Sequence, residues 1–134
     1  MTTLTLVRGL PGSGKSTFAH KLAEDWGSIH LETDMWFVDH KGNYNWTADQ
    51  LTRAHNWCQD TTRVLLQQEF SIVVSNTFTR IEEMKSYIKM ANDFGIELKV
   101  YRMSSMYGSV HNVPEDVINR MSQRWQEYEG EEYV

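Results

Sequence analysis

The chain is short of cysteine, proline, basic charge and long apolar runs, and each shortage excludes something. A single cysteine, Cys58, in 134 residues closes no internal disulfide and provides no cysteine cluster for zinc. A reducing, cytoplasmic setting is the expectation, the host cytoplasm if the chain is phage-encoded. No apolar stretch approaches the ~18 residues of a membrane span, and residues 1–8 lack a signal peptide's charged start and long apolar segment. The 13 Lys and Arg are outnumbered by 18 Asp and Glu, a formal charge of −5. That balance argues against a protein coating duplex DNA, while leaving local contact with a nucleic-acid end open. No repeat or low-complexity tract divides the 134 residues, so one domain, 1–134, is expected. Hydrophobic residues at 40% are enough for the core of an ordinary globular protein.

What glycine there is, 8 residues in all, is concentrated near the start. Gly9-Leu10-Pro11-Gly12-Ser13-Gly14-Lys15-Ser16-Thr17 follows the apolar run Leu4–Val7 and reads G-x-x-x-x-G-K-S. A strand that enters such a loop presents backbone N–H groups to polyphosphate oxygens, because nothing larger than glycine blocks the approach. Gly9, Pro11, Gly12, Ser13, Gly14, Lys15, Ser16 and Thr17 are therefore the expected nucleotide-binding residues. Lys15 reaches the β- and γ-phosphates, the Ser16 hydroxyl binds Mg²⁺, and the following helix directs its positive end at the anion. The implied ligand is a nucleoside triphosphate.

Strand and helix signals alternate along the rest of the chain. Strands are expected over Thr3–Arg8, Ser28–Glu32, Phe70–Ser75 and Ile96–Met103, the last as an edge with one wet face. Helices are expected over Lys15–Asp25, from a capping box at Thr47–Gln50 to about Gln68, from a second box at Thr79–Glu82 to Gly95, and from Pro114 onward. Their apolar faces read Leu51/Ala54/Cys58/Thr61/Leu65, Ile81/Met84/Ile88/Ala91 and Val117/Met121/Trp125/Tyr128. Met35–Trp46 reads as an aromatic loop, and Glu127–Val134 as a frayed acidic end. Such alternation means an α/β fold with a small parallel sheet, helices on both faces, and a ligand at the carboxyl ends of the strands.

Several residues near that edge carry chemistry. Asp34, just past the second strand, is placed to accept the proton of an attacking hydroxyl, with Asp39 a weaker alternative. Asn76 stands where P-loop proteins carry a metal-holding Asp, and offers Mg²⁺ a carbonyl oxygen without charge. Arg120 and Arg124 lie one turn apart on the last helix. They face either a nucleotide or the solvent, paired there with neighbouring acids. His20, His30, His40, His55 and His111 show no metal-ligand spacing; His55 reads as a packed, hydrogen-bonded side chain. Trp36, Phe37, Tyr44 and Trp46 are able to stack a base or to close over the core.

Val7–Thr17, Thr33-Asp34, Ala54-His55-x-Trp57, Ile72–Thr77 and Val110-His111-Asn112-Val113-Pro114, followed by Ile118 and Met121, carry a family resemblance. They resemble the P-loop kinases that include the kinase domain of phage polynucleotide 5′-kinases and related AAA-labelled ATP-binding proteins. The resemblance implies a three-layer P-loop NTPase fold with strand order 2-3-1-4 and an ATP site at the loop. It also implies transfer of the γ-phosphate to a 5′-hydroxyl, with Lys15 and Ser16 on ATP and Asp34 as general base. Three departures stand out. Phe37 replaces an arginine three residues after the base, Asn76-Thr77-Phe78 replaces Asp-Thr-Asn, and Tyr107 or Gly108 replaces a lid arginine. The expected acceptor is a nucleic-acid end or nucleotide. Another small metabolite as acceptor, or a nucleotide-binding regulatory module with little turnover, are the alternatives; the missing arginines are replaced by Arg102, Arg120 or Arg124 or by an arginine from another subunit.

Overall fold

The computed structural model describes residues 1–107 and 113–134. Its elements run β1 Thr3–Arg8, α1 Lys15–Trp26, β2 Ile29–Leu31, α2 Leu51–Gln67, β3 Ile72–Asn76, α3 Ile81–Phe94, β4 Glu97–Arg102, α4 Glu115–Gln123 and β5 Glu132–Tyr133. The strands form one sheet of order β2-β3-β1-β4-β5, and every pairing is parallel. The expected order 2-3-1-4 is present, extended by a fifth strand.

Alternation along β1 explains the layering. Leu4, Leu6 and Arg8 face one side of the sheet, while Thr5 and Val7 face the other. On the first side Leu4 and Leu6 meet Ile72, Val74 and Val100 together with Cys58 and Leu66 of α2 and Met84, Tyr87, Met90 and Ala91 of α3. On the second, Val7 and Val73 pack on Ala19 and Ala23 of α1. The sheet is thus covered on both faces, as its near-continuous apolar strands require.

Several boundaries differ from expectation for local reasons. Thr47 makes no side-chain cap; Ala48–Gln50 form a single 3₁₀ turn, and α2 starts at Leu51. The buried stripe of α2 is Ala54, Cys58, Thr62 and Leu66, and Thr61 and Leu65 flank it. Thr62 is tolerated inside because its hydroxyl donates to the Cys58 carbonyl at 2.7 Å. The box opening α3 closes one residue later than expected: the Glu83 carboxylate, not Glu82, accepts from Arg80 N–H at 2.9 Å and the Thr79 hydroxyl at 2.6 Å. Ile81 is consequently exposed, and Tyr87 and Met90 join Met84 and Ala91 inside. Gly95 ends α3 at φ 62°, where a left-handed residue is needed. Met35–Trp46 is not featureless: Thr33–Phe37 form a 3₁₀ turn, and a bridge between Val38 and Tyr44 closes a small hairpin.

The largest departure is the tail. Glu127–Val134 is not frayed, and β4 is not an edge, because β5 pairs Glu132 with Tyr101 and Tyr133 with Arg102. Helix α4 ends at Gln123, so Trp125 and Tyr128 lie beyond the helix whose face they were expected to share. The tail is fastened by Arg8, whose side chain is fully buried. Its guanidinium donates to the Phe78 carbonyl at 3.0 and 2.6 Å, to the Gln126 carbonyl at 2.7 Å and to Glu131 at 3.0 Å. The Trp125 ring lies 4.2 Å from the guanidinium carbon. Arg102 extends the assembly, reaching Glu131 at 3.5 Å and lying 5.0 Å from Trp125 and 5.2 Å from Tyr133. The left-handed backbone of Phe78, φ 46°, is held by the two bonds that Arg8 gives its carbonyl.

Candidate functional site

Because the sheet is wholly parallel, the ends of β1, β2 and β3 open on one edge, where the Gly9–Thr17 loop, Asp34 and Asn76 lie. β1 runs directly into the glycine loop. Gly12 and Gly14 adopt φ 85° and 82°, values an L side chain rarely takes, and Gly14 turns the chain into α1. Gly9 is needed for space: a Cβ there would lie 2.9 Å from Met103 Cβ and collide with Ser13 Oγ. Ser13 Oγ is itself buried and has no hydrogen-bond partner among the described residues. The segment after β4 lies against the loop, with Tyr107 N–H donating to the Gly12 carbonyl at 2.6 Å. Gly108 and His111 lie outside the described residues.

Lys15, the first residue of α1, is largely enclosed. Burial pulls its ammonium below the ordinary lysine range, while the carboxylates of Asp34 and Glu32 act in the opposite direction. Asp34 and Glu32 thus both act electrostatically on Lys15, and Glu32 is a carboxylate that no local sequence signal marks. Glu32 follows β2 directly, and its Oε2 accepts from the Ser16 hydroxyl at 2.7 Å and the Ser75 hydroxyl at 2.9 Å. Since Ser75 gives its one proton to Glu32, His30 Nε2, 2.7 Å from Ser75 Oγ, carries the proton of that contact. His30 is half-enclosed, and burial lowers its pKa against the opposing pull of Glu32.

Asp34 Oδ1 accepts from the Tyr44 hydroxyl at 3.2 Å. Tyr44 arrives from the small hairpin, and burial together with Asp34 keeps its phenol protonated. The 3₁₀ turn bearing Asp34 is tied to β3 because the Asn76 side-chain oxygen accepts from Thr33 N–H at 2.8 Å. The oxygen expected to face a metal is therefore engaged as a latch between the two strand ends. His55 has the packed role expected of it, with Nδ1 3.2 Å from Thr33 Oγ1. Asp39 shapes the hairpin turn, accepting from Lys41 and Asn43 N–H at 2.8 and 2.9 Å, and the Asn43 bond first among these lowers its pKa. Phe37 is buried against Tyr44 and Trp46, whereas Trp36 and Trp46 remain 40% and 49% exposed.

Arg120 and Arg124 are directed elsewhere in this arrangement. Arg120 is paired along its own exposed helix face with Asp116 at 3.4 Å. Arg124 donates to Thr79 Oγ1 at 3.0 Å and, with Arg80, Glu82 and Glu83, lines a shallow cavity of about 370 Å³. Among the described residues no three His, Cys, Asp or Glu side chains gather into a metal cage, and no helix is long and apolar enough to cross a membrane.

The AAA domain family model matches residues 4–105. An uncharacterized protein of Pasteurella multocida, PM0531, is 32% identical over 139 residues, covering 90% of this chain and 75% of its own length. Among solved structures, a gluconokinase from Sinorhizobium meliloti 1021 superposes with a TM-score of 0.68 at 16% identity, over 98% of this chain and 81% of that one. A chain of the Pnkp1/Rnl/Hen1 RNA repair complex gives a TM-score of 0.63 at 17% identity, over 92% of this chain but 37% of that one. The glycine loop on β1, the sheet order and these matches agree: the chain belongs to the AAA domain family and has the fold of the P-loop kinases.

Proposed function

We propose that the chain is a kinase that binds ATP with Mg²⁺ through Gly9–Thr17 and passes the γ-phosphate to a hydroxyl of a nucleic-acid 5′ end or a nucleotide. The observation that carries the proposal is the Gly9–Thr17 loop running from β1 into α1, with Asp34 leaving β2 at the same sheet edge. In that arrangement the Lys15 ammonium neutralises charge on the β- and γ-phosphates, and the loop N–H groups hold the chain of phosphates. Ser16 and the neighbouring Glu32 carboxylate are oxygen donors of the kind a hard divalent cation takes, so the residues fit Mg²⁺. When bound, the ion neutralises charge across the phosphates. Asp34 takes the proton of the acceptor hydroxyl as its oxygen bonds to the γ-phosphorus and the bond to the β-phosphate oxygen breaks. Tyr44 holds the carboxylate in place through its hydroxyl.

The exposed rings of Trp36 and Trp46 favour a base-bearing acceptor over a bare sugar, because stacking on an aromatic ring contributes about 1–3 kcal/mol per base. The likeness to a chain of an RNA repair complex supports the same acceptor class. A second reading, a nucleotide-binding module with little turnover, is favoured by Arg102 and Arg120, which are spent on acidic partners. The deciding experiment incubates γ-labelled ATP with 5′-hydroxyl DNA, 5′-hydroxyl RNA, nucleosides, nucleotides and gluconate. Label on a 5′-hydroxyl is the expected result. Label on gluconate alone overturns the acceptor class, and ATP bound without transfer to any of them selects the module.

A further inference from the structure

We infer that Glu32, at the end of β2, supplies the carboxylate of the metal site that P-loop proteins ordinarily place at the end of β3. The inference rests on the nucleotide reading above and deepens it. A P-loop serine that takes Mg²⁺ works beside an acidic group, conventionally an Asp on a neighbouring strand. At the end of β3 this chain has Asn76, which is uncharged and whose oxygen already accepts from Thr33 N–H. The Ser16 hydroxyl instead donates to Glu32, at 2.7 Å. Since β2 lies one strand further from β1, the added reach of a glutamate suits the longer span better than an aspartate.

The carboxylate is prepared for this position rather than loosely placed. Oε2 takes two hydroxyl donors, Ser16 from α1 and Ser75 from β3, and His30 supports Ser75 from behind. Glu32 Oε1 accepts no hydrogen bond among the described residues. One oxygen thus orients the group while the other is available to the ion or to its water shell. One carboxylate with a serine is sufficient, because Mg²⁺ at such sites keeps several waters and takes its remaining oxygens from the phosphates. The alternative is that Glu32 only ties β2 to β3 through Ser75.

The test measures metal uptake rather than turnover. Mn²⁺ binding to the intact chain saturated with ATP is followed by the loss of the free-ion electron spin resonance signal, in wild type, Glu32→Gln, Asn76→Asp and the double variant. Glu32→Gln should weaken Mn²⁺ uptake by about tenfold or more, the scale of losing an orienting partner of a metal ligand. Metal-free ATP should bind it as well as, or better than, wild type, because a negative charge beside the phosphates is gone. Adding Asn76→Asp to Glu32→Gln returns a carboxylate to the end of β3 and should recover Mn²⁺ uptake, which also shows that the single variant is folded. Wild-type Mn²⁺ affinity in Glu32→Gln overturns the inference while leaving the kinase reading intact. If the wild-type chain binds no ATP by calorimetry, the nucleotide reading fails and this inference with it.

Discussion

Glu131→Gln should cost this protein a large part of its stability although nothing in the sequence marks Glu131 as a site residue. Arg8 is completely shielded from water and Glu131 is 3% exposed, at 3.0 Å. Removing one charge of a buried pair leaves the other desolvated without compensation, a change of about 3–5 kcal/mol. The lower end applies here. Arg8 keeps the carbonyls of Phe78 and Gln126 and the face of Trp125, and glutamine still offers an oxygen. A loss of ~3 kcal/mol is a substantial share of the 5–15 kcal/mol that holds an ordinary domain. At this chain length it corresponds to a fall in melting temperature of about 10 °C. Arg8→Met should cost more, since it orphans the Phe78 and Gln126 carbonyls as well as Glu131. Urea unfolding of both single variants and the double variant gives the coupling energy directly. Melting of Glu131→Gln within about 2 °C of wild type would show that the tail is not fastened by this pair, and the account of the fifth strand would fall with it.

Three further outcomes follow from the site. Lys15→Ala should leave the fold intact and weaken ATP binding by tenfold or more, from the loss of a charge-assisted contact of roughly 1.5–3 kcal/mol; calorimetry with unchanged affinity contradicts the loop assignment. Asp34→Asn should preserve ATP affinity and cut transfer by about 10²–10⁴-fold; transfer at the wild-type rate removes Asp34 from the chemistry. Burial lowers the His55 pKa from its ordinary 6.5, so the unfolded chain takes up a proton that the folded ring refuses. Stability is therefore full above pH 6.5 and falls as pH drops below it, by up to about 1.4 kcal/mol per pH unit until the folded ring titrates. His55→Asn should reduce that acid slope, with half-buried His30 keeping its own share, and an unchanged slope in urea titrations between pH 7.5 and about 5 refutes it.

Local signals made the fold legible, and non-local ones hid the rest. The glycine loop, Gly95 as a helix end and the apolar run of β3 are written in adjacent residues, and each stands close to where it was expected. Helix α2 came out rotated because Thr61 and Thr62 look alike in sequence. The face that packs on the sheet carries Thr62, whose hydroxyl is satisfied there by the Cys58 carbonyl. The tail departs from expectation because acidity suggests solvent, whereas Glu131 finds its partner 123 residues away. A signal was present all the same: Arg8 shares the strand face of Leu4 and Leu6, so a buried cation in need of a counter-ion was implied. Glu32 was passed over for a similar reason. Asp34 drew attention as the acid after β2, and nothing local reveals that Ser16 and Ser75 converge on its neighbour two residues earlier.

Where the acidic groups have moved constrains how the site works. Both carboxylates at the strand edge, Glu32 and Asp34, belong to the segment leaving β2, a strand of three residues bound on one side to β3. Two ties fix that segment to β3: Ser75 to Glu32 and Asn76 to the Thr33 N–H. An aspartate at 76 could accept the Thr33 bond as well, but would add a third carboxylate to a place where Lys15 is already buried between two. An asparagine keeps the latch without that repulsion, which fits a metal carboxylate supplied from β2. The consequence is mechanical as well as electrostatic. On the proposed kinase reading, with Glu32 beside Ser16 and Asp34 two residues on, a shift of β2 against β3 would displace the phosphate side and the acceptor side together. On that reading the neutral Asn76, through its bond to Thr33 N–H, is the joint that holds the two in register.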